Sequence, residues 1–484
     1  MEMGLGEENP HIQMAVNYSK FLHDASAYPP HLTTCTDGTR INHSALTKDE
    51  ERQLSDKWSL IDLEKVRNTV YTFKVAEPSK GRCRVVHSCK VNEKCKAHDT
   101  KPPPFKLHTT DEINKILREA SFVCQFDAKS MYDQFPLSEE VGSFFVFKDR
   151  EGRYVALNRL PMGFCYACGI AQGLSLVLTT FKIDDEWYEV RCIVHLDNYL
   201  FAFTKKEGAD PTDSNLQEVV RRTLSTFFKR TMEADLQLNE LSREEMSTFL
   251  KKPPQAQWEQ IYALSPREFT FLGITYNLDT NTRTAAEKSW DKLHVLQQII
   301  FPNNKMNPQT TPRHISMIMG VINWIKRVIN VRHIFYNVYR NTAELAYILW
   351  ARPELWDTPL AEIGFMFQEI PEICRRLKDA HKSTIYPELR HHNDIALCIS
   401  DASKFGWGAY IMLPQRQSWR IKILQGEWPK IAGQPDTLFE SSTIAEPRAI
   451  EKVLELKPFP VLGLGLGLGL GLGTRPHTHI KITL

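Results

Sequence analysis

Two apolar runs in this chain each carry an acidic residue where a β-strand is predicted to end. Residues 122–127 are almost wholly apolar until they close on Asp127. Residues 194–203 are apolar and aromatic except near their middle, where Asp197 and Asn198 stand together. This second run predicts a hairpin of two short strands, with a turn over residues 196–199 that carries the polar pair.

Two carboxylates at the ends of neighbouring strands repel each other unless a cation lies between them. Asp127 and Asp197 would meet in this way if their strands came together. Carboxylate oxygens are the ligands that hard divalent cations prefer. The pattern therefore predicts a divalent-metal site built on these two acids.

Elsewhere the pattern mixes short strands with amphipathic helices, which indicates an α/β fold. A capping sequence opens a helix at Thr110, whose apolar residues recur at helical spacing. Further along, the predicted elements are a hairpin of residues 144–147 and 154–157, a Pro/Gly turn at 160–167 and a helix over 169–180. Gly163 in that turn would let backbone approach a substrate closely.

Residues 74–101 form a basic segment, with eight lysines and arginines against three acids. A turn signal at residues 79–82 predicts a β-hairpin, on which Lys80 and Arg84 would clamp phosphates. A solvated loop is the alternative that such charge runs more often represent. The spacing of the cysteines and histidines in this region matches no common zinc site: Cys83, His87, Cys89, Cys95 and His98.

Composition excludes several classes of protein. The chain has 484 residues, enough for two or three domains, and its 42% hydrophobic and 24% charged content is typical of a globular protein. The net charge of +2 means that affinity for a polyanion must come from local clusters. Neither a secretory leader nor an apolar run of membrane-spanning length is evident, and the ten cysteines show no framework spacing. We therefore expect an intracellular protein with no membrane association.

Three segments resemble motifs A, B and C of retroelement reverse transcriptases, in the same order. They are residues 127–137, 160–172 and 194–203. The flanks agree: residues 80–92 resemble the fingers segment, 228–239 the helix and strand before motif D, 271–273 the primer grip, and 314–327 the region just past the thumb. The resemblance implies a right-hand polymerase of the α/β (α+β) class, in which an antiparallel palm sheet backed by helices lies between fingers and thumb.

The resemblance also implies an activity, RNA-directed DNA synthesis by two-metal nucleotidyl transfer to a primer 3′-hydroxyl. Its cofactors would be two Mg²⁺ or Mn²⁺ ions, and its partners an RNA template, a DNA primer, the RNA–DNA hybrid and deoxynucleoside triphosphates. Asp127 and Asp197 would be the metal ligands, and Tyr132 would exclude a 2′-hydroxyl. The remaining implied roles are triphosphate binding by Lys80 and Arg84, a backbone contact from Ala128, and a nucleotide and template path lined by Gly163 and Gln172.

Three positions depart from the family pattern. Asn198 stands where the family usually has a second Asp, so metal affinity and activity should be lowered. His195 replaces a residue that is usually aromatic. The motif D lysine is replaced near Ser242, and Lys251 or Lys252 is the alternative to it.

A second resemblance begins near residue 394. Residues 394–403 and 406–411 predict two strands and residues 442–446 the start of a helix, which resembles the opening of a retroelement ribonuclease H domain. Asp401 and Glu446 would be its first two acids. A Leu-Gly alternation up to Gly473 occupies the place where the family has two further aspartates. We therefore predict a truncated, inactive ribonuclease H.

The predicted domains are an N-terminal region of unknown role (1–65), fingers and palm (66–280), thumb and connection (281–390), a partial ribonuclease H (391–460) and a Leu-Gly tail (461–484). The order is compatible with DIRS-like elements, including trypanosomatid ones, and with LTR elements. Location in the nucleus or in a cytoplasmic particle is left open, as is the oligomeric state.

Three other functions fit parts of the pattern. An RNA-dependent RNA polymerase would share the palm, but the bulky Tyr132 argues against it. A degenerate or domesticated nucleic-acid-binding protein would keep the basic segment without catalysis. In a structural protein, Asp127 and Asp197 would be members of buried ion pairs.

Overall fold

The computed structural model divides the chain into two compact units, Met1–Thr282 and Arg283–Leu484. It describes residues 10–33, 41–77, 82–331, 336–385, 395–402, 406–415, 418–428, 449, 452, 468–469 and 478–483. Both units mix helices with strands, which confirms the predicted α/β class. The finer division into five domains stays a prediction.

The first unit contains ten helices and ten strands among its described residues. Its helices are α1 Pro10–His23, α2 Pro30–Thr33, α3 Lys48–Gln53, α4 Val91–Ala97, α5 Thr110–Glu119, α6 Glu139–Gly142, α7 Ala167–Thr179, α8 Asp213–Glu233, α9 Arg243–Lys251 and α10 Pro254–Ala263. Its strands are β1 Trp58–Leu60, β2 Val70–Glu77, β3 Arg82–Cys89, β4 Ala120–Asp127, β5 Val146–Lys148, β6 Tyr154–Leu157, β7 Tyr188–His195, β8 Asn198–Lys205, β9 Glu268–Phe271 and β10 Ile274–Asn277.

An antiparallel sheet in the order β4-β8-β7 forms the centre of this unit. Phe126 and Tyr199 are register partners on adjacent strands, and both rings pack on Phe227 of α8, with centroids 5.7 and 5.2 Å away. Because side chains alternate across a strand, Asp127 and its register partner Asn198 belong to the opposite face. Burial of the aromatic face on α8 therefore fixes the face to which the polar pair belongs.

The basic segment forms the predicted hairpin. β2 and β3 pair antiparallel from Val70↔Cys89 to Glu77↔Arg82, and residues 78–81 between them lie outside the described residues. The predicted hairpin of 144–147 and 154–157 is also present, as β5 and β6, and β1 adds a third strand to it.

The N-terminal region, whose role the sequence left open, supplies a helix that packs on α7. Tyr18 of α1 is buried, and its hydroxyl donates a hydrogen bond to the carbonyl of Pro103. A Cβ at Gly169 of α7 would overlap the Tyr18 ring, so glycine is what allows the two helices to approach this closely. The N-terminal region is thus part of the first unit's core.

The second unit begins with helices and continues with an antiparallel sheet. Its helices are α11 Glu287–Ile300, α12 Pro312–Val328, α13 Tyr336–Ala351, α14 Leu360–Ile363 and α15 Ile370–Ala380. Its strands are β12 Ser383–Thr384, β13 Ile395–Ala402, β14 Gly406–Gln415, β15 Ser418–Glu427, β16 Leu468–Gly469 and β17 Thr478–Thr483, while β11 Thr282–Ala285 spans the boundary. The apolar face predicted for residues 314–327 is buried in α12: Ile315, Ile318, Met319, Ile322 and Ile325.

The chain end departs from its prediction as a low-complexity tail. β17 pairs antiparallel with β13, which also pairs with β14. Residues 478–483 alternate polar and apolar side chains after the Leu-Gly run, and that period is the one a strand requires. Among the described helices of both units, none is long and apolar enough to cross a membrane.

We predict opposite stability effects for two Gly→Ala substitutions in helices. Gly169→Ala should lower the free energy of unfolding by about 1–3 kcal/mol, because the added methyl meets the buried Tyr18 ring. Gly320→Ala, in α12 with nothing within 4 Å of its Cβ position, should raise it by about 0.5–1 kcal/mol. Urea unfolding of both variants tests this, and equal effects would contradict the packing of α1 on α7.

Candidate active site

The two predicted acids meet at one end of the central sheet. Asp127 ends β4 and is the register partner of Asn198, the first residue of β8. Asp197 precedes Asn198, and its carbonyl accepts a hydrogen bond of 2.7 Å from the Ala128 N–H. The structure thus brings Asp127 of the 127–137 segment and Asp197 of the 194–203 segment to the same end of the sheet, as the sequence predicted.

The turn that carries Asp197 is tighter than predicted and is strained. His195 pairs directly with Asn198, so only Leu196 and Asp197 form the turn, and the predicted turn residues 198 and 199 begin β8. Leu196 has a φ of 57°, a value that glycine usually supplies in such hairpins. A bulky residue held there costs about 1–2 kcal/mol, so other contacts must stabilise it.

Helix α7 supplies those contacts from two side chains. Gln172 Oε1 accepts a hydrogen bond of 2.8 Å from the Leu196 N–H, and Ser175 Oγ donates one of 2.7 Å to the Leu196 carbonyl. Gln172 Nε2 also donates to the Val194 carbonyl at 3.2 Å. Both backbone polar groups of the strained residue are therefore bonded to one helix.

Gln172 is held by the β7–β8 hairpin through both polar atoms of its side chain. Its side chain is buried, and both of its amide atoms bond to the β7–β8 hairpin. These are the contacts of a residue that positions the turn. Its predicted place on the nucleotide and template path stays a prediction.

Each carboxylate accepts a hydrogen bond from an asparagine amide. Asn198 Nδ2 donates to Asp197 Oδ1, and Asn239 Nδ2 donates to Asp127 Oδ2, both at 2.8 Å. Asn198 therefore acts here as a neutral donor. The sequence did not single out Asn239 because its contact with Asp127 joins residues 112 positions apart.

Tyr132 lies close to both Asp197 and Arg84. It belongs to the 3₁₀ turn Met131–Gln134, and its hydroxyl is 3.5 Å from Cys168 Sγ. Burial and the contact with the Cys168 thiol raise the pKa of Tyr132 above its usual value; the nearby Asp197 carboxylate raises it further, and Arg84 opposes the rise. The predicted sugar-selecting residue is therefore half-buried beside one of the acids.

Gly163 makes a close backbone approach, but to the chain itself. It has a φ of 106°, and a Cβ there would lie 2.5 Å from the His87 carbonyl oxygen of β3. Asn92 reinforces this contact, because its amide donates to the Gly163 carbonyl at 2.7 Å and accepts from the Cys165 N–H at 3.0 Å. The space that the missing side chain of Gly163 leaves is occupied here by the backbone of β3. An approach of Gly163 to a substrate stays a prediction.

Arg84 lies against the same turn, with Nη1 3.7 Å from Met162 Sδ. Its partner in the predicted triphosphate clamp, Lys80, lies outside the described residues. Several cations of the basic segment are paired with acids: Lys74 with Glu50, Lys90 with Glu93 and Lys101 with Asp99. Glu93 and Asp99 belong to the segment and are already counted in its composition, so Glu50 is the acid among these three that lowers its positive charge further.

The structure describes only some of the remaining predicted residues. Glu446 lies outside the described residues, and Asp401 is the register partner of Gly408 in the β13–β14 pair. Ser242 caps α9 through a capping box with Glu245, and the Lys252 ammonium donates to Gln260 Oε1 at 2.8 Å. Within the part of the chain that the structure describes, no group of three or more His, Cys, Asp or Glu is arranged to hold a metal ion.

Comparisons with known proteins find structural likeness alone. No family model and no curated protein matches the chain. The foamy viral protease-reverse transcriptase dRH in complex with double-stranded DNA is similar at 16% identity and a TM-score of 0.48, over 89% of this chain and 65% of that one. This chain therefore spans a little under two thirds of that protein's length.

Two further structures of the foamy viral protease-reverse transcriptase are similar. The complex with double-stranded DNA has 14% identity and a TM-score of 0.47, over 89% of this chain and 77% of the other. The complex with an RNA/DNA hybrid has 15% identity and a TM-score of 0.46, over 89% of this chain and 49% of the other.

We predict that Gln172→Met destabilises the first unit although it nearly preserves side-chain volume. The Leu196 N–H then loses its acceptor, which should lower the free energy of unfolding by about 1–3 kcal/mol. Gln255→Met, which removes an exposed bond to Glu259, should change it by less than about 0.5 kcal/mol. Urea unfolding of the two variants measures the difference. Similar losses of unfolding free energy in both would contradict a stabilising role for the Gln172 hydrogen bonds.

Proposed function

We propose that this chain is an RNA-directed DNA polymerase, which transfers a deoxynucleotide to a primer 3′-hydroxyl on an RNA template. The observation that carries the proposal is the meeting of Asp127 and Asp197 at the end of adjacent strands. In this view the β4-β8-β7 sheet with α7 and α8 is the palm, and the β2–β3 hairpin belongs to the fingers.

The donor set fits Mg²⁺ or Mn²⁺ when a nucleotide is present. Mg²⁺ in proteins is commonly bound by one or two carboxylates together with substrate phosphates and water, so two acids are enough. Asp127 and Asp197 would hold the ions. When bound, two such ions would activate the primer hydroxyl and stabilise the leaving pyrophosphate.

The surrounding side chains would orient the substrate. The Arg84 guanidinium can bind phosphate oxygens in bidentate fashion, and Lys80 would add a second positive charge. The Tyr132 ring would lie beneath the sugar and leave no room for a 2′-hydroxyl. The basic hairpin would contribute binding to the hybrid backbone that depends on salt and not on sequence.

A nucleic-acid-binding protein without catalysis is the second candidate. Asn198 favours it, because an amide in place of a carboxylate leaves the site one negative charge short of the family pattern. Both candidates bind template and primer, and they differ only in whether the bound primer is extended.

Primer extension on poly(rA)·oligo(dT) with Mg²⁺ or Mn²⁺ distinguishes the two candidates. We expect incorporation by the full chain, and a loss of at least about 100-fold with Asp127→Asn or Asp197→Asn. Asp210→Asn, at a fully exposed acid, should leave the rate unchanged. Binding of the duplex without extension, in both metals, would establish the second candidate.

We further predict that Tyr132→Val relaxes the choice of sugar. Removal of the ring should reduce the preference for deoxynucleotides over ribonucleotides by about 10-fold or more, as a ratio of kcat/KM values. Cys168→Ala removes the thiol beside the Tyr132 hydroxyl and keeps the ring, so its preference should stay close to that of the wild type. Equal preferences in the wild type and Tyr132→Val would contradict a role for Tyr132 in selecting the sugar.

A further inference from the structure

We propose that Asn239 is a positioning residue for Asp127 and thereby sets the affinity of the site for a divalent cation. The inference rests on the proposed function, because it takes Asp127 to be a metal ligand. Nothing in the resemblance to polymerase motifs assigned a role to Asn239.

Asn239 contacts Asp127 at two points. Its backbone N–H donates to the Asp127 carbonyl, and its side-chain Nδ2 donates to Asp127 Oδ2, each at 2.8 Å. The first bond fixes the two backbones relative to each other. The second then fixes the rotation of the carboxylate, which is the group that must face the cation.

The segment around Asn239 is held in register independently of the Asn239 side chain. The Lys129 N–H donates to the Gln237 carbonyl at 2.9 Å, and Gln134 Oε1 accepts from the Gln237 N–H at 2.6 Å. Glu240 Oε2 accepts from the Asp127 N–H at 3.0 Å. Truncation of Asn239 at Cβ should therefore leave the segment in place and remove only the bond to Oδ2.

An amide suits this position better than a charged donor. A lysine or arginine there would orient Asp127 equally well, but it would neutralise the carboxylate and compete with the cation. The Asn239 amide carries no charge, so it orients the carboxylate and leaves its negative charge to the metal. Hydrogen-bond partners of this kind typically contribute 10- to 100-fold to metal affinity.

Mn²⁺ affinity tests the proposal without any catalytic turnover. Electron paramagnetic resonance of Mn²⁺ would be titrated against the full chain with a dideoxy-terminated primer on its RNA template and a non-hydrolysable deoxynucleoside triphosphate present, and the same mixture without protein is the blank. We expect Asn239→Ala and Asn239→Leu each to weaken binding by about 10- to 100-fold. Asn277→Leu is the matched control, because Asn277 donates a similar exposed bond of 2.9 Å to Glu268 far along the chain, and its affinity should be unchanged.

A double-mutant cycle shows whether Asn239 acts through Asp127. In an Asp127→Asn background the Asn239→Ala substitution should have no further effect, whereas in an Asp197→Asn background the weakening should persist. In primer extension, Asn239→Ala should raise the Mg²⁺ concentration for half-maximal rate and change the rate at saturating Mg²⁺ by only a few-fold.

The outcomes separate this inference from the proposed function. Wild-type binding that requires Asp127 but is matched within twofold by both folded Asn239 variants would overturn the positioning role alone. Absence of any Asp127-dependent Mn²⁺ binding in the wild type would overturn both. Circular dichroism establishes which variants are folded, and the Ala variant keeps the test available if Leu disturbs the segment.

Discussion

The site depends on the attachment of one strained turn to one helix. Leu196 takes a backbone conformation that a bulky residue disfavours, and the Gln172 and Ser175 side chains of α7 bond to its N–H and carbonyl. Because the Leu196–Asp197 turn is only two residues long, fixing Leu196 also fixes the adjacent acid. Helix α7 thereby fixes the position of Asp197.

Other elements of the first unit converge on the same end of the sheet. The 237–240 segment bonds to the backbone and the carboxylate of Asp127, and the β2–β3 hairpin meets the turn before α7 at Gly163. The N-terminal helix α1 packs on α7 where Tyr18 meets Gly169. Each contact is local, and together they join the segments near the two acids to one another.

Hydrophobic periodicity predicted the strands and helices near the site, because burial of one face determines them. It placed the turn of the second hairpin too late, since Asn198 is polar and yet begins β8 as the register partner of Asp127. It did not predict the bonds from Gln172 or Asn239, which join residues distant in sequence and depend on the folded packing. Gly163 permits a close approach of the His87 carbonyl, a contact that is visible only in three dimensions, and its approach to a substrate stays a prediction.

Iron-mediated cleavage of the backbone tests most directly whether Asp127 and Asp197 share one cation. With Fe²⁺ in place of Mg²⁺, ascorbate and peroxide generate hydroxyl radicals at the bound ion, and they cut the chain beside it. The account predicts cuts in both segments, near residues 127 and 197, that disappear together in Asp127→Asn and in Asp197→Asn and are suppressed by excess Mg²⁺. Cuts near only one of the two acids, or cuts that survive both substitutions, would contradict a shared site.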